Sequence, residues 1–446
     1  MIAAVHDPEA VDLLRQLIRN RCVNDGTDAS GQEVRNADVV AAVVGAAGCD
    51  VERYEPTPGR GSLVARIAGR DPHAPSLCYL GHLDVVPVNE DMWRRDPFGA
   101  ELVDGEIWGR GAVDMLNLTA AMTLAFARLA RSGFRPRGDL VFAAVADEEA
   151  LGSHGAGWLV EHHPDAVRTD YVITETGGVP LQAPGGKILP VPIAEKGSCW
   201  CRLRVRGEAG HASTPLRTDN ALVTAAEVVR RLAEHRPQPQ IDDTWRAFAF
   251  ALGMEPDVTA ALLDPQRIDD LLDAMPDLGL AREAHACTHT TIAPTIVHGG
   301  TKINTIPDTV DLDIDIRTLP GWGPAEVRAM LSDAIGDLAG KVEIVAALDD
   351  PSTASRFDTP LWDAMREVTA RFHPDGTMVP ALMVGATDAR FFRRQGAQAY
   401  SFGVFSDRLS YGEVAAMYHG DDERIDVESL EWSVAAYEEL GRRFLG

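Results

Sequence analysis

Apolar positions change their rhythm along this chain. Between residues 7 and 47 they recur at helical spacing: Val11, Leu14 and Ile18 share one face, and 39–44 continues the stripe. Short apolar runs then alternate with helical segments. Residues 62–67, 76–80, 139–146 and 171–174 read as strands, and 119–131 and 155–161 as helices. These strands lack polar alternation. They are therefore expected to be buried on both faces, which predicts a helix-covered α/β sheet.

The rhythm shifts after Lys196. Within 198–206, Cys201, Leu203 and Val205 interleave with Arg202, Arg204 and Arg206, the mark of a strand with one wet face. A helix at 220–233, a Pro-containing polar stretch at 235–244 and a largely helical segment at 245–284 follow. Strands at 290–297 and 310–316, a helix at 324–339 and a strand at 342–347 complete the region. Without the helical segment the order is β-α-β-β-α-β, a small α+β open sandwich of ferredoxin-like type. The expected organisation is a first domain in two parts, 1–197 and 351–446, with the sandwich inserted at 198–350. Helices at 361–372 and 428–444 belong to the second part.

Composition narrows the function. The chain has 446 residues, 45% of them hydrophobic, enough for a large core and roughly two to three domains. Lys and Arg total 42 against 67 Asp and Glu, a net charge of −25 that repels phosphate backbones and argues against nucleic acid. The six cysteines are scattered, without zinc-finger or disulfide spacing. Cys199 and Cys201 share a strand face and read as a buried reduced pair. No stretch approaches the ~18 apolar residues of a membrane span, and residues 1–7 lack a basic, apolar leader pattern. The expectation is a cytoplasmic protein with no membrane partner.

Five places carry chemistry. His82-Leu83-Asp84 follows the apolar run 77–80; Asp114 follows a Gly-flanked turn; Asp147-Glu148-Glu149 ends the run 139–146; Glu175 ends 171–174; His419 lies far downstream. Ligands of open α/β sheets gather at the carboxyl ends of strands. Imidazole and carboxylate together suit a pair of borderline cations such as zinc. His82 reads as a ligand and Asp84 as its orienting partner. Asp114 reads either as a helix cap or as a carboxylate bridging two metals. Glu148 and Glu149 diverge, so one can bind metal while the other faces the attacking water; an exposed acidic loop is the alternative.

In order along the chain, these segments resemble the di-zinc aminoacylase and carboxypeptidase family. That family includes acetylornithine deacetylase, succinyl-diaminopimelate desuccinylase and glutamate carboxypeptidases. The resemblance also runs through 195–197, 210–215, 304–307, 315–317 and 385–388, nearly the whole chain. It implies a zinc-peptidase catalytic domain with an inserted lid and dimerisation domain. It further implies two zinc ions, with cobalt or manganese as alternatives: one held by His82, Asp114 and Glu175, the other by Asp114, Glu149 and His419. Asp84 and Glu148 would be catalytic, Glu148 as general base, as a zinc-bound hydroxide attacks an amide carbonyl. His211, Asn304 and Arg317 would bind the oxyanion and substrate carboxylate, the His and Asn often coming from a partner subunit. Gly385 and Thr387 would offer amides and a hydroxyl to the substrate.

The implied substrate is a small N-acyl amino acid or a dipeptide, and the implied assembly a homodimer through the inserted domain. One departure is Leu116, where many relatives carry Lys after the Asp-Met pair. A catalytically silent binding protein on this scaffold would have lost the base or a ligand, and neither is lost. A lid-less di-zinc aminopeptidase would lack the sandwich and 210–215. His285, His289 and His298 match no ligand and read as structural. The segment 245–284 reads as a pocket or dimer element, or as surface elaboration.

Overall fold

Strand Leu77–His82 lies inside a six-stranded sheet, between Leu140–Val145 and Tyr171–Thr174. The computed structural model describes residues 7–446, so the leader reading of residues 1–6 lies outside it. Beyond these three strands the sheet continues through Ser62–Ile67 to Val51–Tyr54 on one side and Gln398–Ser401 on the other. Ser62–Ile67 runs antiparallel to both neighbours, and the other pairs are parallel. The sheet is therefore mixed.

The two-residue period of a strand divides its side chains between two cores. Leu77, Tyr79, Leu140, Phe142 and Ala144 join the core containing helices Leu116–Arg131 and Val427–Leu445. Cys78, Leu80, Val141, Ala143 and Val145 join the opposite core with Ala156, Leu159 and Phe392. Each fully buried Leu, Val or Phe contributes about 1.5–3 kcal/mol, so packing on both faces holds the sheet between helices. His82 ends one of these parallel strands, and the segments just beyond its neighbours carry Glu148, Glu149 and Glu175.

The N-terminal helical reading resolves into Pro8–Arg19 and Val34–Ala46. The loop between them supplies Asn24 and Glu33 to the interior. A second sheet escapes the sequence pattern. Its spine is Gly186–Glu195, which pairs with Gly376–Met383, Leu181–Ala183 and Thr353–Ala354. Pro190, Pro192 and Pro380 lie in these strands, and proline cannot donate to a ladder.

A separate four-stranded antiparallel sheet has the order Thr291–Gly299, Thr309–Thr318, Gly197–Arg206, Val342–Ala347. That is the ferredoxin-like order expected from β-α-β-β-α-β. Leu203, Val205, Leu312 and Ile314 pack under helices Ala221–Glu234 and Pro324–Ile335. The wet face carries a ladder of ion pairs: Arg202 with Asp313, Arg204 with Asp311, Arg206 with Glu343. Cys199 and Cys201 are free thiols buried on the opposite face.

The segment after this sheet's first helix forms four short helices, Asp243–Ala251, Pro256–Leu262, Ile268–Ala274 and Leu278–Thr288. Trp245, Ala249, Leu262 and Leu272 pack against Ile188 and Val379 of the second sheet. The segment is thus a brace on that sheet. Within it His285 and His289 stack with centroids 4.2 Å apart and planes 5° apart, and His289 Nε2 lies 3.0 Å from Asp269.

Burial first, then the neighbouring His289, pushes the His285 imidazole down to about 4. The unfolded chain takes up this proton near 6.5, the usual imidazole value. His285 therefore contributes stability above that pH that is lost as pH falls toward about 4. His285→Gln should shift the acid-unfolding midpoint to lower pH, read as denaturant stability against pH. An unchanged acid limb would show that His285 is not its source. Among the described residues no helix is long and apolar enough to cross a membrane.

Candidate metal centre

Each candidate ligand sits where regular structure gives out. His82 is the last residue of its strand and Glu175 follows Thr174 directly. Glu148 and Glu149 form a short 3-10 turn after Leu140–Val145, and Asp114 stands two residues before helix Leu116–Arg131. A cis peptide joins Asp114 to Met115. His419 follows helix Tyr411–Met417. Four non-glycine residues here adopt left-handed backbone: Asp147 (φ 72°), Leu151 (φ 76°), Thr176 (φ 61°) and His419 (φ 57°). Each costs on the order of 1–3 kcal/mol and persists only where the surroundings over-determine it.

Two groups converge. His82, Asp114 and Glu175 bring one donor atom each within 4.8 Å of one another, and so do Asp114, Glu149 and His419. Asp114 belongs to both. Its Oδ1 lies 3.2 Å from His82 Nε2, and its Oδ2 lies 3.4 Å from His419 Nε2. His82 Nε2 is 3.7 Å from Glu175 Oε2, and His419 Nε2 is 3.2 Å from Glu149 Oε2. One carboxylate thus offers an oxygen to each side. The first group is buried, whereas the His419 side chain is 59% exposed, so the centre opens on one side.

The electrostatics call for cations. Burial pushes Glu149 and Glu175 up to about 7, with Asp114 adding to both. Hydrogen bonds to Asp114 and Glu149 push His419 up to about 10. Burial lowers His82, but Asp114 and Glu175 outweigh it and hold it well above its usual value. Oε1 of Glu149 is buried without a hydrogen-bond partner. Each group offers one nitrogen and two carboxylate oxygens, a donor set that fits a borderline dication and leaves room for a water or substrate oxygen.

Glu148 stands in neither group. Its carboxylate makes no hydrogen bond among the described residues. Burial pushes it well above its usual range, with Glu175 adding. A carboxylate so placed is suited to taking and giving a proton. Asp84 is fully buried, and Nδ1 of His82 meets its main-chain oxygen at 3.0 Å. The Asp84 carboxylate sits farther off, with Oδ1 3.6 Å from that nitrogen. Its Oδ2 accepts from Asn24 Nδ2 at 2.8 Å and from the Glu149 amide at 3.1 Å. Asp84 thereby links the two loops.

Three supporting groups went unread in the sequence. Glu423, fully buried, accepts from the amides of Gly111 (2.9 Å), Val113 (2.6 Å) and Asp114 (2.9 Å), and from Arg110 Nη1 (2.8 Å). It ties the Asp114 turn to the segment bearing His419. Arg60, buried, donates to Glu33, to Asn24 and to the Thr27 carbonyl. Asn24 then reaches both Asp84 and Asp147. The one signal for Glu423 was its place four residues after His419.

The candidate substrate residues lie elsewhere. His211 and Asn304 are exposed at one two-stranded sheet, Gly210–His211 with Thr305–Ile306, where the Ala212 amide donates to the Asn304 carbonyl. Arg317 donates to Asp315 through Nε and Nη2 and to Ser198 through Nη1, and it stacks on Trp200 at 5.5 Å. Among the described residues, none of the three hydrogen-bonds a member of the two groups. Thr387 is buried; its amide donates to Glu195 and its hydroxyl accepts from the Ala389 amide. Gly385 lies in the loop after Gly376–Met383. Leu116 is buried in the main core.

Known proteins share this framework. A probable carboxypeptidase S-like 2 of Dictyostelium discoideum is 26% identical over 392 residues, 85% of this chain and 73% of that protein. A succinyl-diaminopimelate desuccinylase of Maricaulis maris is 28% identical over 413 residues, 90% of this chain and 88% of that protein. An M20 family metallo-carboxypeptidase from Sulfolobus solfataricus superposes with a TM-score of 0.72 at 17% identity, covering 98% of this chain and 99% of that one. The model of peptidase family M20/M25/M40 matches residues 78–443. The chain therefore belongs to peptidase family M20/M25/M40, and it is a metal-dependent hydrolase of amide bonds.

Proposed function

We propose that this protein hydrolyses the amide of a small N-acyl amino acid or dipeptide at a two-zinc centre. The observation that carries this reading is Asp114, with one oxygen toward each histidine, while Glu148 stands outside both donor groups with no hydrogen bond of its own among the described residues. His82, Asp114 and Glu175 would hold one ion, and Asp114, Glu149 and His419 the other. Bound dications supply Lewis acidity toward water and carbonyl oxygen. Glu148 takes the proton from water as the water oxygen adds to the carbonyl carbon. It returns that proton to the amine nitrogen as the C–N bond breaks, leaving a carboxylic acid and an amine, which exchange a proton to become carboxylate and ammonium. Asp84 keeps the His82 ring and the Glu149 loop in register.

The names of the carboxypeptidase and desuccinylase relatives support a substrate of this class. Arg317 is the group for the substrate carboxylate, exchanging its Asp315 partner for the ligand, since its planar fork matches a carboxylate. Gly385 and Thr387 would stand next to the substrate, Thr387 with its amide already on Glu195. His211 and Asn304 donate to the oxyanion from a second copy of the chain. In support, both are exposed, and strand Thr291–Gly299 is an open edge bearing exposed Ile296 and Val297. Sedimentation at twice the chain mass is expected; a monomer that is fully active removes the second copy.

The test is a panel of N-acetyl, N-succinyl and N-carbamoyl amino acids, dipeptides and dipeptide amides, run on zinc-, cobalt- and manganese-loaded protein. Arg317→Ala should lose about 10- to 100-fold in kcat/KM on carboxylate-bearing substrates and little on the amides. Equal losses on both would remove Arg317 from carboxylate binding.

A further inference from the structure

The chain crosses between the four-stranded sheet and the rest of the molecule twice. It passes from Glu195 to Ser198 on the way out and returns through Asp350 to Thr353. The crossings touch: the Ser198 amide donates to the Asp350 carbonyl at 2.8 Å, and the Asp350 amide returns a bond to Ser198 at 2.9 Å. Both hold the same short helix, Ala389–Arg394. Glu195, buried, accepts from the Thr387 amide, from Thr353 Oγ1 (2.7 Å) and from Arg393 Nη1 (2.6 Å). Asp350 pairs with Arg394 and places Oδ2 2.9 Å from Arg390 Nε.

Arg390 is 2% exposed, and its fork faces three ways. Nε forms an ion pair with Asp350 but no hydrogen bond, Nη1 donates to the Thr387 carbonyl, and Nη2 donates to the Leu151 carbonyl at 2.8 Å. Leu151 ends the turn that carries Glu148 and Glu149, and it does so in left-handed backbone. Its amide bonds back to the Glu148 carbonyl at 3.0 Å, and the Gly152 amide to the Asp147 carbonyl at 2.7 Å. The turn therefore moves as one piece. It also lies hard against the helix, since a Cβ on Gly152 would come within 2.5 Å of Asp388 Oδ1 and 2.8 Å of Phe391.

We infer that Arg390 is a positioning residue that ties the Asp350 crossing to the Leu151 carbonyl, so that the seat of the four-stranded sheet sets the aim of Glu148. A guanidinium can donate to two carbonyls while its charge also faces a carboxylate, whereas a lysine ammonium is a point donor and cannot span all three. The inference rests on Glu148 acting as the base.

The test uses the full-length, metal-loaded protein with Arg390→Lys, Asp350→Asn and the double variant. Hydrogen exchange of the amides in 148–152 is the first readout. It should quicken in both single variants, with metal stoichiometry unchanged. On the panel's best substrate, kcat should fall by about 100-fold in Arg390→Lys at constant KM. Asp350→Asn should lower kcat in the same sense, and the double variant should be no worse than Arg390→Lys alone. Wild-type exchange at 148–152 in Asp350→Asn overturns the tie, and so do additive losses in the double variant. If Arg390→Lys does not fold, Asp350→Asn alone decides through its exchange. Exchange needs no substrate, so failure here is separate from failure of the base assignment, which Glu148→Gln tests.

Discussion

Glu148→Gln should keep its full complement of metal and lose turnover by about 100- to 10,000-fold. The substitution preserves shape and removes only the proton-accepting oxygen. It breaks no hydrogen bond among the described residues, because the Glu148 carboxylate makes none. Glu148 also stands outside both donor groups, so elemental analysis should find wild-type metal content. The sharp outcome is this separation of metal from rate. A variant that turns over at the wild-type rate would strike Glu148 as the base. One that loses metal with rate would make it a structural member of the centre.

Asp114→Ala should empty both sides at once. It removes the oxygen 3.2 Å from His82 and the oxygen 3.4 Å from His419 in one step. Each side then retains one imidazole and one carboxylate, too few to hold a dication against water. Metal analysis after dialysis should read near zero, and the stabilisation that added metal confers on the wild type should vanish. Glu149→Ala should remove a donor from one side only. If Asp114→Ala retains one tightly held ion, the two sides do not share this carboxylate.

The parts of the site that stood out in the sequence are those that interrupt a pattern. His82, Glu149 and Glu175 end apolar runs whose strands the structure places side by side. A polar group at such a place needs a partner, and that need is visible before any coordinates. His419 had no strand to announce it, and its grouping with Asp114 and Glu149 was legible only through the family resemblance. Glu423, Asn24 and Arg60 were illegible for a different reason. Their partners lie far away in the chain, as with Glu423 and Gly111, and a buried carboxylate looks like any other in sequence. The second sheet was hidden because Pro190 and Pro192 contradict strand chemistry, yet the strand tolerates them beside Gly376–Met383. The ferredoxin-like sheet was legible because its strand alternates Arg with apolar residues, and Arg202 and Arg204 meet Asp313 and Asp311 across the register.

The Glu423 carboxylate gathers three amides and a guanidinium from the Asp114 turn without calling on any ion. That turn is therefore held by protein groups. Chelation should strip the protein while leaving that turn intact, and a stripped sample should recover on simple readdition of salt, with no folding lag. Scarcity of metal in the cell would then idle such molecules in reserve rather than condemn them to degradation.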